Sequence, residues 1–137
     1  MSQSTITSTT MLTGNMRTHT IFTGSTTSFI TDVPQAIGGR GEYPPPASLL
    51  AASLSCCMLS MLAFVANKHG INTDGISVLA NVLEDANGIQ GFNLRITVPM
   101  QTTPEARAVM ERAVRSCPVA KALSPSLEKH IVWSFAE

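Results

Sequence analysis

The sequence predicts an α+β protein with the element order βββ-α-ββ-α-β, and three observations carry this prediction. Short Thr-rich groups separated by Gly-containing turns come first, and a long apolar run without charges follows a Pro-rich loop. A stretch in which apolar residues alternate, as in a strand, then precedes a stretch in which they recur at helical spacing. At 137 residues the chain has the length of one ordinary domain. We therefore expect a single domain over residues 1–137, made of the regions 1–45, 46–69 and 70–137.

The region 1–45 is predicted to be a three-stranded meander followed by a shaped loop. Residues 2–31 contain eleven Thr and five Ser but a single charged residue, Arg17, which we expect on the first turn. β-Branched residues are typical of strands, and Gly-Asn and Gly-Ser pairs are typical of tight turns. The loop from Asp32 to Pro46 is rich in Gly and Pro and ends where a helix starts. A disordered Ser/Thr tail is the alternative, above all for residues 1–4.

The region 46–69 is predicted to be a helix that is buried on every side. The stretch from Tyr43 to Asn67 has no charged side chain, and the run after Pro46 is long enough to cross a membrane. Its four serines and the closing Lys68-His69-Gly70 cap favour a helix buried in protein over a membrane span. Because one small chain has too little surface to cover all faces of such a helix, we expect a homodimer and no membrane.

The region 70–137 is predicted to contain two strands, an amphipathic helix, a short helical turn and a final strand. The second strand alternates and places Phe92, Leu94, Ile96 and Val98 on one face. Thr103 followed by Pro marks the start of the helix, whose apolar stripe runs on to Cys117 before Pro118 interrupts it.

Composition and charge exclude several classes of function. Nine basic and nine acidic residues cancel, which argues against nucleic acid as a partner. Three cysteines without a CxxC spacing and an N-terminus without a signal peptide pattern indicate a reducing, cytoplasmic location. His19, His69 and His130 have no ligand spacing, and neither a Rossmann nor a P-loop pattern occurs. We therefore expect neither a metal site nor a cofactor.

The cysteines are the candidates for chemistry. Cys56 and Cys57 lie in the middle of the charge-free helix, and Cys117 lies at the cap of the short helix that Pro118 opens. The free N–H groups at such a cap favour a thiolate. A thiolate attacks peroxide, and the resulting sulfenic acid condenses with a second thiol to a disulfide. The alternative is that the cysteines are inert core residues.

A peroxide site also needs a cation to stabilise the thiolate and the leaving oxygen. Arg40 is the first candidate because its Gly-rich loop lies six residues before the helix, and Arg17 is the second. Glu42 is a candidate to orient Arg40 through a forked ion pair. The alternative for each of these side chains is an exposed, solubilising charge.

With these residues the sequence resembles the OsmC/Ohr family of osmotically inducible and organic hydroperoxide resistance proteins. The similarity comprises a Gly38-Gly39 loop, a helix opened by Pro46, Cys57 eleven residues later, and a late Cys117-Pro-Val motif. The resemblance implies an intertwined homodimer with a role in oxidative stress. It also implies a thiol peroxidase that reduces organic hydroperoxides or hydrogen peroxide through a Cys57–Cys117 disulfide, which an external thiol then reduces.

The resemblance has one departure that affects the expected activity. In the well-characterised branches an arginine assists the cysteine, and its counterpart here is expected to be Arg40. Those branches also place a Glu that holds this arginine two residues after the helix-opening Pro, where this chain has Ser48. Either Glu42 substitutes for it, or peroxide turnover is slower. The alternative function is a non-enzymatic dimer of the same fold that binds a small hydrophobic ligand and uses its cysteines structurally.

Overall fold

A computed structural model describes residues 5–137, so the suggested tail at residues 1–4 lies outside the described part. The chain divides into two compact units, one that ends at Leu49 and one that begins at Leu50. The predicted single domain over 1–137 remains a prediction.

The observed elements follow the predicted order, with short helical turns added. They are β1 (Ser8–Gly14), β2 (Arg17–Phe22), β3 (Ser28–Thr31), a 3₁₀ turn (Gln35–Ile37), α1 (Pro46–Lys68), β4 (Ser77–Asp85), β5 (Gly88–Val98), α2 (Pro104–Arg115), α3 (Pro118–Ala122) and β6 (Glu128–Phe135). The predicted α+β class is therefore confirmed.

The first unit contains an antiparallel sheet in the order β1-β2-β3. Its first turn has positive φ at Asn15 and Met16, as a tight hairpin turn between twisted strands requires. Arg17, expected on this turn, is the first residue of β2 instead. Threonines form cross-strand pairs: Thr10 Oγ1 lies 2.8 Å from Thr20 Oγ1, and Thr18 bonds Thr31. These pairs give the Thr-rich composition a structural reason, since facing hydroxyls stabilise a sheet through hydrogen bonds.

The second unit contains a mixed sheet in the order β4-β5-β6. β4 pairs antiparallel with β5, and β6 pairs parallel with β5 after the crossover through α2 and α3. The predicted inward face of β5 is confirmed, because Phe92, Leu94, Ile96 and Val98 are all buried. Gly91 allows β6 to approach, since a Cβ at this position would lie 2.3 Å from the carbonyl oxygen of Glu128.

Helix α1 has one buried face within the single chain. Its buried residues recur at helical spacing and belong to the same apolar cluster as the inner face of β5: Ala51, Leu54, Met58, Leu62 and Ala66. On the opposite side, Ser53, Cys56, Ser60 and Phe64 form an exposed stripe. By length and composition alone α1 is apolar enough to cross a membrane, but its packing is that of a core helix. Burial of the remaining faces by a second copy stays a prediction.

Helix α2 packs against the core, and Cys117 follows shortly after its end. The Thr103 side chain caps the helix by accepting a hydrogen bond from the backbone N–H of Ala106 at 3.1 Å. The buried residues Met110 and Val114 of α2 lie on the apolar stripe that the sequence predicts. Cys117, the next position on this stripe, is fully buried.

Candidate functional site

The second unit brings the two cysteines of the expected pair together. Cys117 is the N-cap residue of α3, as predicted, and has no exposed surface. Cys57 is half-buried on the flank of α1 and packs against the apolar cluster that contains Cys117. The Cys57 side chain is near enough to affect the pKa of Cys117, whereas Cys56 is exposed on the other side of α1. Two neighbouring thiols are the arrangement from which a disulfide can form.

The electrostatics at Cys117 differ from the sequence-based expectation of a thiolate. Burial raises the pKa of Cys117 most, and the neighbouring Cys57 side chain raises it further. The N–H groups of Ala120 and Val119 at the start of α3 lower the pKa, as the cap position predicts, but by less. The expectation of a thiolate at Cys117 was wrong because burial in apolar surroundings outweighs the short helix. Cys117 is therefore held as a neutral thiol that has a proton to donate.

The first unit contains a separate charge cluster, formed by Arg17, Asp32, Glu42 and Tyr43. Arg17 Nε and Nη2 donate to the two carboxylate oxygens of Asp32, each at 2.8 Å, which is a forked pair. Asp32 Oδ2 also accepts the backbone N–H groups of Glu42 at 2.9 Å and Tyr43 at 3.1 Å. The guanidinium carbon lies 4.7 Å from the centre of the Tyr43 ring, within cation–π range.

These contacts fix the ionisation of both partners. The Arg17 guanidinium holds the pKa of the Asp32 carboxyl well below its usual range, and the N–H groups of Glu42 and Tyr43 add to this effect. Burial works in the opposite direction but is outweighed. The Asp32 carboxylate in turn raises the pKa of Arg17 above its ordinary value. Both partners of the pair are therefore charged at neutral pH.

Arg40 and Glu42 are not paired as the sequence suggests. Arg40 is exposed, and within residues 5–137 its guanidinium forms no hydrogen bond or ion pair. The Glu42 carboxylate lies 3.4 Å from Arg17 Nη2 instead, so the expected pairing of Glu42 with Arg40 is corrected. This follows because Asp32 binds the backbone of residues 42 and 43, which keeps Glu42 beside Arg17.

Ser48 lies exposed in the first turn of α1, where its N–H donates to the carbonyl of Pro45 at 3.0 Å. Without a Glu at this position, the sequence predicts slower peroxide turnover unless Glu42 holds the supporting arginine. Arg17 is nevertheless held in place by Asp32, an acid that its sequence pattern did not single out. A signal for it was available, since Arg17 and Asp32 are the only charged residues before position 40. Two opposite charges isolated in a neutral stretch indicate a pair.

In residues 5–137 no three His, Cys, Asp or Glu side chains come close enough to hold a metal ion. His130, one of the histidines considered above, forms an exposed contact of 2.8 Å with Glu128.

Comparison with known proteins identifies the family. The OsmC-like protein family matches residues 39–130, which include both Cys57 and Cys117. The organic hydroperoxide resistance protein-like 2 of Staphylococcus saprophyticus is 32% identical over 105 residues, which cover 72% of this chain and 74% of that protein. The protein of the same name from Staphylococcus epidermidis is 26% identical over 88% of this chain and 90% of its own length.

Solved structures share the fold over nearly the whole chain. A crystal structure from Psychrobacter arcticus has a TM-score of 0.90 at 27% identity and covers 96% of this chain and 97% of its own. An organic hydroperoxide resistance protein from Elizabethkingia anophelis has a TM-score of 0.75 at 28% identity, with coverage of 98% and 99%. The fold and the matched residues define an OsmC-like protein. This chain belongs to the OsmC-like protein family, and the resemblance found in its sequence is confirmed.

Proposed function

We propose that this protein is a cysteine-based peroxidase that reduces organic hydroperoxides, with Cys57 as the nucleophile and Cys117 as the resolving thiol. The observation that carries the proposal is that the half-buried Cys57 packs against the apolar cluster in which Cys117 is buried as a neutral thiol. Relatives that bear the name of organic hydroperoxide resistance proteins support the same substrate class. Hydrogen peroxide is the second substrate to be compared.

The proposed reaction balances with an external thiol as the reductant. The Cys57 thiolate attacks one peroxide oxygen, so that an S–O bond forms, the O–O bond breaks and the alkoxide leaves as an alcohol after taking up a proton. Cys117 loses its proton and attacks the Cys57 sulfenic acid, forming the disulfide and releasing water. Two electrons from an external dithiol then restore both thiols.

The proposed roles follow from the surroundings of each thiol. Cys57 is accessible to a substrate because it is half-buried, whereas Cys117 has no exposed surface on which a peroxide can approach. A raised pKa keeps Cys117 as a poor nucleophile until the sulfenic acid has formed beside it. This order of events limits oxidation to one thiol at a time.

We assign the supporting cation to Arg17 in preference to Arg40. A cation that stabilises developing charge contributes most when it is already held in place, because no reorganisation is then needed during the reaction. Arg17 is held by Asp32, while Arg40 is exposed without a partner among the described residues. We further propose that the protein works as a cytoplasmic homodimer, in which a second copy covers the exposed face of α1.

Disulfide mapping tests the proposed function. The reduced protein is treated with a substoichiometric organic hydroperoxide, and disulfides are identified by mass spectrometry in the wild type, Cys57→Ser, Cys117→Ser and Cys56→Ser. We expect a Cys57–Cys117 disulfide in the wild type and in Cys56→Ser, which serves as the matched control. Cys57→Ser should consume no peroxide above the rate of free thiol, and Cys117→Ser should stop at the Cys57 sulfenic acid.

A wild-type protein that consumes no peroxide, or that forms no Cys57–Cys117 bond, contradicts the proposal. In that case the cysteines are core residues, and the alternative of a dimer that binds a small hydrophobic ligand takes its place.

A further inference from the structure

The sheet of the second unit has a groove on the face opposite to the buried face of β5. Its volume is about 410 Å³, which lies within the range of small-molecule sites. The strand register arranges the side chains of this outer groove in two rows across the three strands. One row consists of Leu79, Arg95 and Val132, and the other of Asn81, Asn93 and His130.

In the first row Arg95 lies between two exposed apolar side chains. Leu79 of β4 and Val132 of β6 are its direct partners in register and are 65% and 57% exposed. Together with Phe64 they are the large apolar side chains that are exposed in the described part of the second unit. Arg95 is itself exposed and forms no ion pair within residues 5–137. Apolar neighbours keep water away from the sides of the guanidinium, which strengthens its attraction for an anion.

The second row consists of side chains that donate and accept hydrogen bonds. Asn81 and Asn93 are direct partners in register, and both are exposed. Asn is depleted in strands, so propensity gives no reason for two of them side by side in a sheet. His130 completes the row and contacts the carboxylate of Glu128 at 2.8 Å. Glu128 is therefore engaged by His130 and leaves the charge of Arg95 available.

A solvated sheet face alone does not account for this pattern. Water on one face of a sheet explains polar side chains at alternate positions. It does not explain why two exposed apolar side chains lie on either side of an arginine that has no acidic partner among the described residues.

The spacing of the two rows determines which ligand can reach both. Side chains two positions apart on a strand lie about 7 Å apart. The guanidinium of the first row matches a carboxylate, which it binds through a forked pair of hydrogen bonds. The amides of the second row match a hydroxyl group, because an amide both donates and accepts. A ligand that spans the rows therefore has an acid at one end and a hydroxyl group about 7 Å away.

We propose that the outer groove binds a small hydroxylated organic acid, whose carboxylate pairs with Arg95 and whose hydroxyl group hydrogen-bonds to the two Asn amides. Leu79 and Val132 flank its apolar body. This inference goes beyond the proposed peroxidase function and does not rest on it, because Cys57 and Cys117 belong to the apolar cluster on the opposite face of the sheet.

A titration with 4-hydroxybenzoate tests the proposal. A benzene ring separates the acid and the hydroxyl group of this probe and matches the spacing of the rows. The reduced full-length protein is titrated at constant ionic strength, and binding is followed by the ¹H–¹⁵N signals of the Asn side-chain amides and of the Arg95 Nε–H group. Two matched probes are 4-hydroxybenzamide, which lacks the charge, and benzoate, which lacks the hydroxyl group.

We expect a Kd on the order of 1 mM for 4-hydroxybenzoate, an affinity that a ligand of this size reaches in an open groove. Arg95→Gln should weaken binding about tenfold or more, because a charge-assisted fork is lost. Arg112→Gln makes the same change at an exposed residue of α2 and should leave the Kd unchanged. Asn93→Ala should weaken the binding of 4-hydroxybenzoate severalfold but leave that of benzoate unchanged, since only the contact with the hydroxyl group is removed.

Circular dichroism shows whether each variant folds. If Arg95→Gln does not fold, Arg95→Lys keeps the charge without the fork and should also weaken binding. A titration without shifts at the two rows, equal affinity for 4-hydroxybenzamide, or equal Kd values in the Arg95 and Arg112 variants overturns the proposal.

Two other occupants give results of their own. Inorganic phosphate that shifts the Arg95 signal with the same Kd would make the guanidinium a general anion contact, which also overturns the proposal. A second copy of the chain on this face would lower the mass of Leu79→Asp in light scattering and leave 4-hydroxybenzoate unbound, with the same consequence.

Discussion

The two units of this protein bury opposite kinds of residue. Among the described residues, the buried polar and charged side chains are Thr20, Thr31 and Asp32, all in the first unit. The buried apolar side chains of residues 5–137, from Ala51 to Cys117, all lie in the second unit. One part of the chain thus builds a hydrogen-bonded charge pair, and the other builds an apolar core that contains a thiol. The charge pair and the buried thiol are thus held by different interactions, hydrogen bonds in the first unit and apolar burial in the second.

The same division explains why the pKa of Asp32 is lowered while the pKa of Cys117 is raised. In the first unit, the forked hydrogen bonds from Arg17 outweigh burial, and the Asp32 carboxyl becomes a stronger acid. In the second unit, burial dominates, and the Cys117 thiol becomes a weaker acid. A buried group therefore keeps its charge only where the chain supplies donors or an opposite charge.

The largest effect that tests this comparison is expected at Arg17. Arg17→Lys keeps the charge but cannot form the forked pair with Asp32, so we expect the rate of peroxide reduction to fall about 100-fold. Arg40→Lys makes the same change at an exposed residue without a described partner and should have a much smaller effect. Stopped-flow measurement of Cys57 oxidation by an organic hydroperoxide gives both values.

The opposite ranking, with Arg40→Lys slow and Arg17→Lys fast, would return the supporting role to Arg40. The Arg17–Asp32 pair would then be a purely structural feature of the first unit. Circular dichroism of both variants controls for a loss of folding.

The sequence predicted most of the fold because the elements carry local signals. The alternation in β5, the Thr103 cap of α2 and the stop at Pro118 each depend on neighbouring residues, and each occurs where it was expected. The packing of Cys57 against the cluster that contains Cys117 could be expected only from the family resemblance, since the two residues are sixty positions apart.

The partners of the charged residues were harder to predict because they depend on how a loop folds back. Glu42 is only two positions from Arg40, yet its side chain contacts Arg17. In the sequence, the loop position of Asp32 does not distinguish it from an ordinary loop acid. Only the structure shows that the backbone N–H groups of residues 42 and 43 donate to its carboxylate. Burial likewise determines the protonation state of Cys117. Its cap position alone predicted a lowered pKa, whereas the pKa is raised.

A second, intermediate effect tests how the exposed face of α1 is covered. Phe64 is 57% exposed in the single chain and lies on the stripe opposite the buried face. We expect the wild type to have twice the mass of one chain in solution, and Phe64→Asp to shift it towards one chain mass, because a charge is costly in an apolar interface. Sedimentation or light scattering measures this change.

Leu79→Asp is the matched control for Phe64→Asp, because Leu79 is 65% exposed but lies on β4. It should leave the mass unchanged. A wild type of one chain mass, or two variants that behave alike, would show that the α1 stripe is not where a second copy binds.

The smallest effect is a pH dependence of stability that should have opposite signs in the two units. The pKa of Asp32 is lowered from an ordinary value near 3.8, so its contribution is complete above that pH and is lost as the pH falls through the lower, folded value. The pKa of Cys117 is raised from an ordinary value of 9.0, so its contribution is complete below that pH and is lost as the pH rises through the higher, folded value.

Urea unfolding of the reduced wild type, Asp32→Asn and Cys117→Ala isolates the two contributions. The difference between wild type and Asp32→Asn should narrow only below pH 3.8, and that between wild type and Cys117→Ala only above pH 9. If both differences in the free energy of unfolding stayed constant over these pH ranges, the prediction would be wrong. The hydrogen bonds of the first unit would then not stabilise the Asp32 carboxylate, and the apolar core of the second would not stabilise the neutral Cys117 thiol.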